Sequence, residues 1–215
     1  SYEKIAREFS ETRARFWPEL VFIKSNLPKT GRILDIGCGN GRLLELLGDT
    51  SLKYTGVDFS KNMLKEAQSK HPNQKFILAD ALNLPFPEQS FDAVVSLAVL
   101  HHIPSEEFRQ KFFKEAARVL VKNGVLIITV WDLWRVRFLS HFIKSFFKKI
   151  NSNKLDWSDF FLTFGQQKEK RYLHAFTKNH LTKLAKKSWF SVKILRKIKN
   201  ANSQRSNILL IAMKN

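Results

Sequence analysis

Apolar and polar positions follow two different rhythms along this chain. Short apolar runs bounded by turn residues are typical of strands that are buried in a sheet. They predict seven strands, at residues 32–37, 53–58, 75–80, 91–100, 125–131, 191–198 and 207–214. Apolar residues at helical spacing predict amphipathic helices between them, at residues 2–25, 41–47, 60–70, 106–120, 134–150 and 179–188. Ser60 is the predicted N-cap of the third helix.

The order of these elements predicts the fold. Strands that alternate with helices form a parallel sheet with helices on both faces. The last two strands have no helix between them, so we expect an antiparallel hairpin at one edge of the sheet. The prediction is one α/β domain over residues 1–215, with a doubly wound, mostly parallel seven-stranded sheet and an antiparallel final strand. Residues 1–29 form an N-terminal helical region, and residues 134–175 form a basic amphipathic insertion after strand 5.

The insertion carries an apolar stripe with basic residues beside it, from Trp134 to Ile150. Its position in the chain would place it over the carboxyl ends of the strands, where open α/β sheets bind ligands. The stripe could pack on the core as a lid, face a partner such as RNA, or lie on a membrane surface. Because apolar stripes at helical spacing usually face a core, we expect a lid.

Positive charge is concentrated in the last third of the chain. The net charge of the 215 residues is +18, and residues 135–215 hold 19 Lys and Arg against 3 Asp and Glu. This excess is far above what solubility requires, so it favours an anionic partner. We expect nucleic acid first and an anionic membrane second, with a merely solvated basic face as the alternative.

Other features of the chain bear on compartment and metal binding. The single cysteine, Cys38, excludes an internal disulfide and a zinc site built from several cysteines. The N-terminal segment has mixed charge and lacks the apolar centre of a secretory signal. No apolar run approaches the roughly 20 residues that span a bilayer. We therefore expect a cytoplasmic protein that binds no metal and has little or no membrane contact.

A glycine-rich turn follows the first predicted strand, in ILDIGCGNG (33–41). Glycines in such a turn allow positive φ and let the backbone approach a ligand closely. Asp35 precedes them, and Asp58 ends the next strand, where its carboxylate can accept hydrogen bonds from ribose hydroxyls. A dinucleotide-binding turn is the alternative, but that turn has the spacing G-x-G-x-x-G.

The third predicted strand also ends in an acidic residue, in LADALNLPF (78–86). The Asp80 carboxylate can accept a hydrogen bond from an adenine amino group, while Ala81 and Leu82 flank the ring. Together with Asp58, this predicts a cofactor that contains a nucleoside. We interpret Cys38, inside the glycine turn, as a small packing residue beside that cofactor and not as a nucleophile.

Two adjacent histidines, His101 and His102, follow the fourth predicted strand in SLAVLHHIPSEE (96–107). Such a pair could hold a metal, act as a general base with its helper, or pack its rings in a loop. Neighbouring side chains at the end of a strand diverge, and no third ligand is placed near them, so a metal site is disfavoured.

These motifs together resemble the class I S-adenosylmethionine-dependent methyltransferases. The resemblance rests on ILDIGCGNG, VDFS, ADALNLPF, FDAVVSLAVLHHI and RVLVKNGVLIIT, and it covers roughly residues 30–131. It implies a Rossmann-like sheet, S-adenosyl-L-methionine as cofactor and S-adenosyl-L-homocysteine as product. The cofactor-binding residues that it implies are Asp35, Gly37, Cys38, Gly39, Asn40, Gly41, Asp58, Phe59, Asp80, Ala81, Leu82 and Leu97.

A narrower resemblance comes from the flanks of this region. YEKIAREFSETRARFWPEL (2–20), SLAVLHHI, TVWD (129–132) and KRYLHAFTKNHL (170–181) are similar to the tRNA methyltransferases that esterify 5-carboxymethyluridine at the wobble position. DWSDFFLTFG (156–165) departs from the apolar-Pro-Trp segment of that family. Partners that the resemblance implies are the tRNA anticodon arm and a small zinc-binding activator subunit, which could dock on an edge strand such as KFILAD (75–80).

The narrower resemblance also implies residues for the acceptor. We expect His101, His102 and Arg13 to have catalytic roles, with one histidine facing the substrate and the other packing or capping. The substrate-binding residues expected from it are Trp17, Arg171, Tyr172 and His174. Trp17 and Tyr172 could stack on a splayed base, although packing roles are about as common for such residues.

The chemistry agrees with a carboxylate acceptor. Methyl transfer from a sulfonium is an in-line displacement, so the protein supplies mainly proximity, alignment and a dry site. A carboxylate with a pKa near ~4 is already ionised at neutral pH, so the site needs a cation or donor and no strong base. The alternatives are a methyltransferase for a small or lipid-like acceptor, and a non-catalytic tRNA-binding protein on the same fold.

Overall fold

A computed structural model describes residues 21–134, 156–164, 169–199 and 206–215. These residues contain a seven-stranded sheet and a separate two-stranded sheet. The strands are β1 Thr30–Ile36, β2 Ser51–Asp58, β3 Lys75–Leu78, β4 Phe91–Leu97, β5 Leu120–Trp131, β6 Asp159–Phe164, β7 Glu169–His174, β8 Phe190–Lys199 and β9 Ser206–Lys214. The helices are α1 Val21–Lys24, α2 Leu43–Leu47, α3 Lys61–Lys70, α4 Glu106–Val119 and α5 Lys178–Lys186.

The large sheet has the strand order β3-β2-β1-β4-β5-β9-β8. Strands β1 to β5 pair parallel with one another, with Ile33 opposite Tyr54 in the pairing of β1 with β2. Strand β9 runs antiparallel to both β5 and β8. The predicted fold class is confirmed: the sheet is mostly parallel, its final strand is antiparallel, and β8 and β9 form a hairpin at one edge.

Apolar side chains fill both faces of the sheet, as the doubly wound pattern requires. On one face, α4 and α5 contribute Phe112, Phe113, Leu181 and Leu184 to a buried cluster with the sheet. On the other face, α1 and α2 pack against the sheet through residues such as Ile23. No helix among the described residues is long and apolar enough to cross a membrane.

Side-chain caps begin three of the helices, and one of them, Ser60, was predicted. The Ser60 hydroxyl accepts a hydrogen bond from the amide of Met63 at 3.3 Å, which confirms Ser60 as the N-cap of α3. Ser105 and Thr177 cap α4 and α5 in the same way. These side chains satisfy amides that have no partner inside the first helical turn.

Strand β5 begins earlier than predicted. The sequence pattern predicts this strand from residue 125, after the turn residues Lys122-Asn123-Gly124, but β5 already starts at Leu120. Asn123 has φ +61°, and the pairing with β4 shifts register between Phe91 and Ala93. The turn residues therefore lie in an irregular stretch inside β5. The register shift accommodates them, so the pairing of β5 with β4 continues on both sides of this stretch.

The region predicted as a helical insertion holds two strands that the sequence pattern did not reveal. Strands β6 and β7 pair antiparallel, with Asp159 opposite His174 and Phe161 opposite Tyr172. The predicted helix at 134–150 lies almost wholly outside the described residues, and so does the N-terminal helical region before Val21. The interpretation of the apolar stripe as a lid therefore stays a prediction.

Arg118 of α4 fastens the segment that follows β3. Its guanidinium donates to the carbonyl oxygens of Leu84 at 2.9 Å and Phe86 at 2.7 Å, and to the carboxylate of Glu115 at 2.8 Å. The Glu115 carboxylate in turn accepts from the amide of Leu84 at 2.8 Å. The amide and the carbonyl oxygen of Leu84 are thus both bound by side chains of α4, those of Glu115 and Arg118.

We predict that Arg118→Met lowers the free energy of unfolding by about 2 kcal/mol, because two carbonyl groups and a carboxylate lose their donor. Arg32→Met is the matched control, since the Arg32 side chain is 50% exposed in its ion pair with Asp92. The control should cost less than about 0.5 kcal/mol. Equal losses for the two variants in urea denaturation would contradict the role of Arg118.

Candidate functional site

A cavity of about 500 Å³ opens at the carboxyl ends of β1, β2 and β4. This is the edge at which parallel α/β sheets place their ligands. The side chains and backbone around it come from the glycine turn, from the ends of β2 and β3, and from the histidine turn after β4. Of the predicted cofactor residues, those that line it are Asp35, Gly37, Cys38, Gly39, Asn40, Asp58, Phe59, Asp80, Ala81, Leu82 and Leu97.

The backbone at Gly37 requires glycine for two reasons. Its φ is +73°, and a Cβ atom there would lie 2.3 Å from Cγ2 of Val99. The amides of Gly37 and Cys38 both donate to the carbonyl oxygen of Val57, at 2.8 and 3.0 Å. The turn is therefore held against β2, and its inner side remains open to the cavity.

Gly41 is the one predicted cofactor residue that does not line the cavity. A Cβ atom at this position would lie 2.9 Å from Cδ2 of His71 and 3.3 Å from the ring of Phe76. Gly41 thus packs against the side chains of His71, which follows α3, and Phe76 of β3. The regular glycine spacing in the sequence concealed this difference from Gly37 and Gly39.

The Asp58 carboxylate links the glycine turn to the start of α3. Its two oxygens accept from the amides of Gly39 and Ser60, each at 2.9 Å. A carboxylate can accept about four hydrogen bonds, so ribose hydroxyls are compatible with these contacts. Asp58 therefore orders the turn and faces the cavity.

Asp35 is buried in the cavity wall, and its carboxylate accepts a hydrogen bond from the Tyr54 hydroxyl at 2.9 Å. Burial raises the pKa of Asp35 to about 7, although the hydrogen bond from Tyr54 opposes the shift. The nearby Asp58 adds to the increase, whereas Arg42 counteracts it. The carboxyl group is thus poised to exchange a proton near neutral pH.

The adenine side of the predicted site is built by the turn after β3. The Asp80 carboxylate accepts from the amide of Leu82 at 2.9 Å, and the carbonyl oxygen of Asp80 accepts from the amide of Asn83 at 3.0 Å. Phe59 lines the same cavity with 82% of its surface exposed. An exposed aromatic ring beside an apolar turn can cover a planar ligand.

Cys38 is buried beside Asp35 and Asp58. Burial raises the pKa of its thiol far above the ordinary value, and the two carboxyl groups act in the same direction. A thiol that resists ionisation is a poor nucleophile. This supports the interpretation of Cys38 as a packing residue.

The histidine pair lies in a 3₁₀ turn, Leu100–His102, and not on the end of β4. His102 lines the cavity, whereas His101 is fully buried and does not. The Nδ1 atom of His101 accepts from the amide of Trp131 at 3.4 Å, and its ring lies against the Trp131 ring with centroids 4.7 Å apart. His101 therefore packs against Trp131, and His102 is the ring that faces the cavity.

Strand β7 lies next to His102. The Nδ1 atom of His102 is 3.2 Å from the carbonyl oxygen of Tyr172, and since a carbonyl only accepts, Nδ1 must carry the proton. The neighbouring Arg171 is buried, with its guanidinium carbon 5.8 Å from the centroid of the Trp131 ring. The Trp131 ring thus contacts both His102, at a centroid distance of 5.8 Å, and Arg171. His102 lines the cavity, whereas Trp131 and Arg171 do not. Sequence reasoning had not selected Trp131.

The side chains of Tyr172 and His174 lie elsewhere. They project from the opposite side of β7 from Arg171, because side chains alternate along a strand. The Tyr172 hydroxyl donates to Asp159 at 2.6 Å, and Nδ1 of His174 lies 2.6 Å from the same oxygen atom. Neither side chain lines the cavity, so the structure does not place these two predicted residues in the predicted binding site. The predicted residues Arg13 and Trp17 lie outside the described residues.

Arg109 is a residue of this region that the sequence pattern missed. Its fully buried guanidinium donates to Tyr172 at 3.0 Å and to Asp156 at 2.7 Å. Asp156, Asp159 and His174 come close enough for a metal ion, but the guanidinium supplies the positive charge there. No local signal marks Arg109, since it occupies an ordinary position of an amphipathic helix.

Comparison with known proteins gives two kinds of match. The family described as "Methyltransferase domain" matches residues 34–128. A tRNA (carboxymethyluridine(34)-5-O)-methyltransferase of Arabidopsis thaliana is 42% identical over 130 residues, which are 60% of this chain and 31% of that protein. The Schizosaccharomyces pombe protein of the same name is 35% identical over 132 residues, or 61% of this chain and 56% of that protein. The chain thus spans about a third to somewhat over half of these two relatives.

Solved structures share the fold at low sequence identity. An S-adenosylmethionine-dependent methyltransferase of Methanosarcina mazei has a TM-score of 0.77 and 23% identity, covering 93% of this chain and 98% of the other. A complex of the Haloferax volcanii Trm112 methyltransferase activator with a methyltransferase gives a TM-score of 0.73 and 16% identity, covering 99% and 95%. These structures share the fold described above.

We predict that Asp35→Asn stabilises the ligand-free protein at high pH. The unfolded carboxyl group ionises near pH 4, whereas the pKa of Asp35 in the fold is about 7. Between these values the folded state binds more protons, so wild-type stability falls as pH rises and levels off above about pH 7. The asparagine side chain can still accept a hydrogen bond from the Tyr54 hydroxyl, and it cannot become charged as the pH rises.

The gain should be on the order of 3 kcal/mol at about pH 8 and close to zero at about pH 4. Chemical denaturation over this pH range measures it. Asp49→Asn, at an exposed position outside the cavity, is the control and should follow the wild-type profile. A constant difference between Asp35→Asn and wild type at all pH values would disprove the assignment.

Proposed function

We propose, from the methyltransferase domain that this chain carries at residues 34–128, that the protein transfers a methyl group from S-adenosyl-L-methionine to a modified wobble uridine of tRNA. The acceptor that we propose is the carboxymethyl group of 5-carboxymethyluridine. The product would be the methyl ester, with S-adenosyl-L-homocysteine as the second product. The names of the Arabidopsis and fission yeast relatives support this choice of substrate.

One structural observation carries the proposal. His102 lines the cavity of the predicted cofactor residues and also contacts the backbone of Tyr172, next to Arg171. The His102 ring therefore lies next to two groups of residues. One group resembles the cofactor-binding motifs, and the other resembles the acceptor element on β7. A methyl donor and a carboxylate acceptor need such a junction, because an in-line displacement requires both in contact.

The cavity fits the proposed cofactor. Its volume of about 500 Å³ is within the range of small-molecule sites. The turn at Gly37 and Gly39 would lie against the amino-acid end, Asp58 would accept from the ribose hydroxyls, and Asp80 from the adenine amino group. When bound, S-adenosylmethionine supplies a methyl group that is activated by the positive charge on its sulfur.

The residues around His102 suit a carboxylate that is already ionised. Such an acceptor needs no general base, so the protein must hold it and exclude water. The hydrogen bond from Nδ1 of His102 to the Tyr172 carbonyl sets the orientation of the ring, and we propose that the opposite edge of the ring helps to orient the acceptor base. The Arg171 guanidinium is the cation we assign to the carboxylate, because Arg matches a carboxylate in a two-point geometry.

The proposed partners follow from charge and from a free sheet edge. The +18 net charge supports binding of the tRNA anticodon arm through its phosphates. Strand β3 is at the edge of the sheet, and Leu78 is 56% exposed there. We propose that a small activator subunit, of the zinc-binding kind, adds to this edge. The solved complex from Haloferax volcanii supports a partner of this type.

The test is methyl transfer to tRNA from cells that lack the wobble modification. Labelled S-adenosylmethionine, the purified protein with and without a candidate activator, and nucleoside mass analysis should reveal the methyl ester of carboxymethyluridine. Asp58→Ala should lose cofactor binding by calorimetry and also lose transfer. The control Asp49→Ala, at an exposed position outside the cavity, should retain both.

Two outcomes would refute the proposal. Label transferred to a lipid or small-molecule extract and not to tRNA would make the protein a methyltransferase of a different substrate class. Salt-dependent tRNA binding without any binding of S-adenosylhomocysteine would make it a binding protein on a methyltransferase fold.

We predict that Arg171→Met lowers kcat/KM for tRNA by about 10- to 100-fold, the value expected for losing a charge-assisted hydrogen bond of about 1.5–3 kcal/mol. The affinity for S-adenosylhomocysteine should not change, because Arg171 does not line the cofactor cavity. Lys170→Met is the matched control, since Lys170 precedes Arg171 on β7 and is exposed. Equal effects of both substitutions would show that only overall charge matters.

A further inference from the structure

A chain of hydrogen-bonding groups on the far side of β7 joins two carboxylates through two histidines. Nδ1 of His174 lies 2.6 Å from Oδ1 of Asp159, and Nε2 of His180 lies 2.6 Å from Oε2 of Glu106. Between them, Nε2 of His174 is 3.2 Å from Nδ1 of His180. The chain therefore connects β6, β7, α5 and the first turn of α4.

Counting donors and acceptors determines how many protons the two rings hold. An ionised carboxylate only accepts, so Nδ1 of His174 and Nε2 of His180 must each carry a proton. If both rings were neutral, the two nitrogen atoms that face each other at 3.2 Å would both present lone pairs. One additional proton turns this repulsive contact into a hydrogen bond.

The surroundings indicate that the carboxylates are ionised and where the proton resides. Hydrogen bonds from His174 and Tyr172 hold the pKa of Asp159 below its usual range in spite of burial, and hydrogen bonding from His180 does the same for Glu106. Burial lowers the pKa of His174, although Asp159 opposes this. The His180 side chain is 22% exposed against 2% for His174, so the charged ring is better solvated at His180.

The balance of charges around the two rings also favours an additional proton on the pair. The charged groups that face the two rings are Asp156 before β6, Asp159 on β6, and Glu106 and Arg109 on α4, while Tyr172 on β7 is a neutral donor. Three carboxylates and one guanidinium leave two negative charges without compensation. A single proton shared by His174 and His180 reduces this excess to one negative charge. The side chains of Asp156 and Glu106 are 55% and 46% exposed, so water screens the charge that remains.

We propose that His174 and His180 share one proton and act as positioning residues for the acceptor side of the site. The protonated pair ties β7 to α4 and α5. It thereby holds the carbonyl oxygen of Tyr172 where it accepts from Nδ1 of His102, and holds Arg171 beside Trp131. This role rests on the proposed function, because it concerns the histidine that faces the acceptor.

Nitrogen-15 NMR of the histidine rings tests the shared proton without any activity measurement. We expect three ring protons on the four nitrogens of the pair near neutral pH, and two after titration to high pH. Glu106→Gln should weaken proton binding by the pair about tenfold, because it removes an opposite charge in contact with a ring. Glu107→Gln, the matched control in the same helical turn, should leave the titration unchanged.

Kinetics then test the positioning role. In the wild type, KM for tRNA should rise about three- to tenfold as the pair loses its proton, within the range of about pH 5–8 where histidines change charge. Glu106→Gln should shift this rise to lower pH, and Glu107→Gln should not. The Kd for S-adenosylhomocysteine should show no matching change, because the pair does not line the cofactor cavity.

The outcomes separate this inference from the proposed function. Two neutral rings near neutral pH, or identical titrations of Glu106→Gln and Glu107→Gln, would overturn the shared proton. A shared proton together with a KM that ignores its loss would overturn the positioning role. If no tRNA is methylated at all but the rings titrate as expected, the proposed function fails and the shared proton stands.

Discussion

The guanidinium of Arg109 lies where α4, the histidine turn and the small sheet of β6 and β7 come together. It donates to the carbonyl oxygen of Ile103, which directly follows His102, and to the Tyr172 hydroxyl of β7. A cation without access to water is costly unless carboxylates and acceptors surround it. The positions of Asp156 and Asp159 follow from this requirement, so the side of the site that we propose for the acceptor depends on one buried charge.

The two sides of the cavity are built in different ways. The cofactor side uses consecutive βα units, in which each strand ends in a turn that presents backbone amides or a carboxylate. The acceptor side combines the turn after β4, the end of β5 and a strand pair inserted much later in the chain. Its geometry is therefore set by contacts between distant segments, such as those of Arg109 with Asp156 and Tyr172.

This difference explains which parts of the structure could be predicted from sequence. The strand order, the Ser60 cap and the turn at Gly37 depend on local patterns that apolar periodicity and turn chemistry reveal. Strands β6 and β7 were missed because they are short and lie within a region that was read as a helical insertion. Arg109 and Glu106 look like ordinary residues of an amphipathic helix, and only the folded chain brings Asp159 and His180 beside them.

Histidine 101 shows the same limit on a smaller scale. The sequence predicts that one of the two neighbours, His101 or His102, faces the substrate and that the other packs or caps, but it does not predict which. The 3₁₀ turn separates them: the His101 ring is buried against Trp131, and the His102 ring faces the cavity. Sequence alone cannot distinguish such neighbours, because the path of the backbone determines where each ring points. The role that we propose for His102 rests on its place in the cavity wall and on its contact with the Tyr172 carbonyl.

The place of β9 between β5 and β8 imposes an order on biosynthesis. Strand β8 emerges from the ribosome first, but it can join the sheet only through β9, which is made after it. Until then, the apolar edge of β5 has no neighbour, and β8 has nothing to pair with. A nascent chain of this topology can complete this sheet only after β9 has been made, and strands that remain unpaired until then are exposed to aggregation.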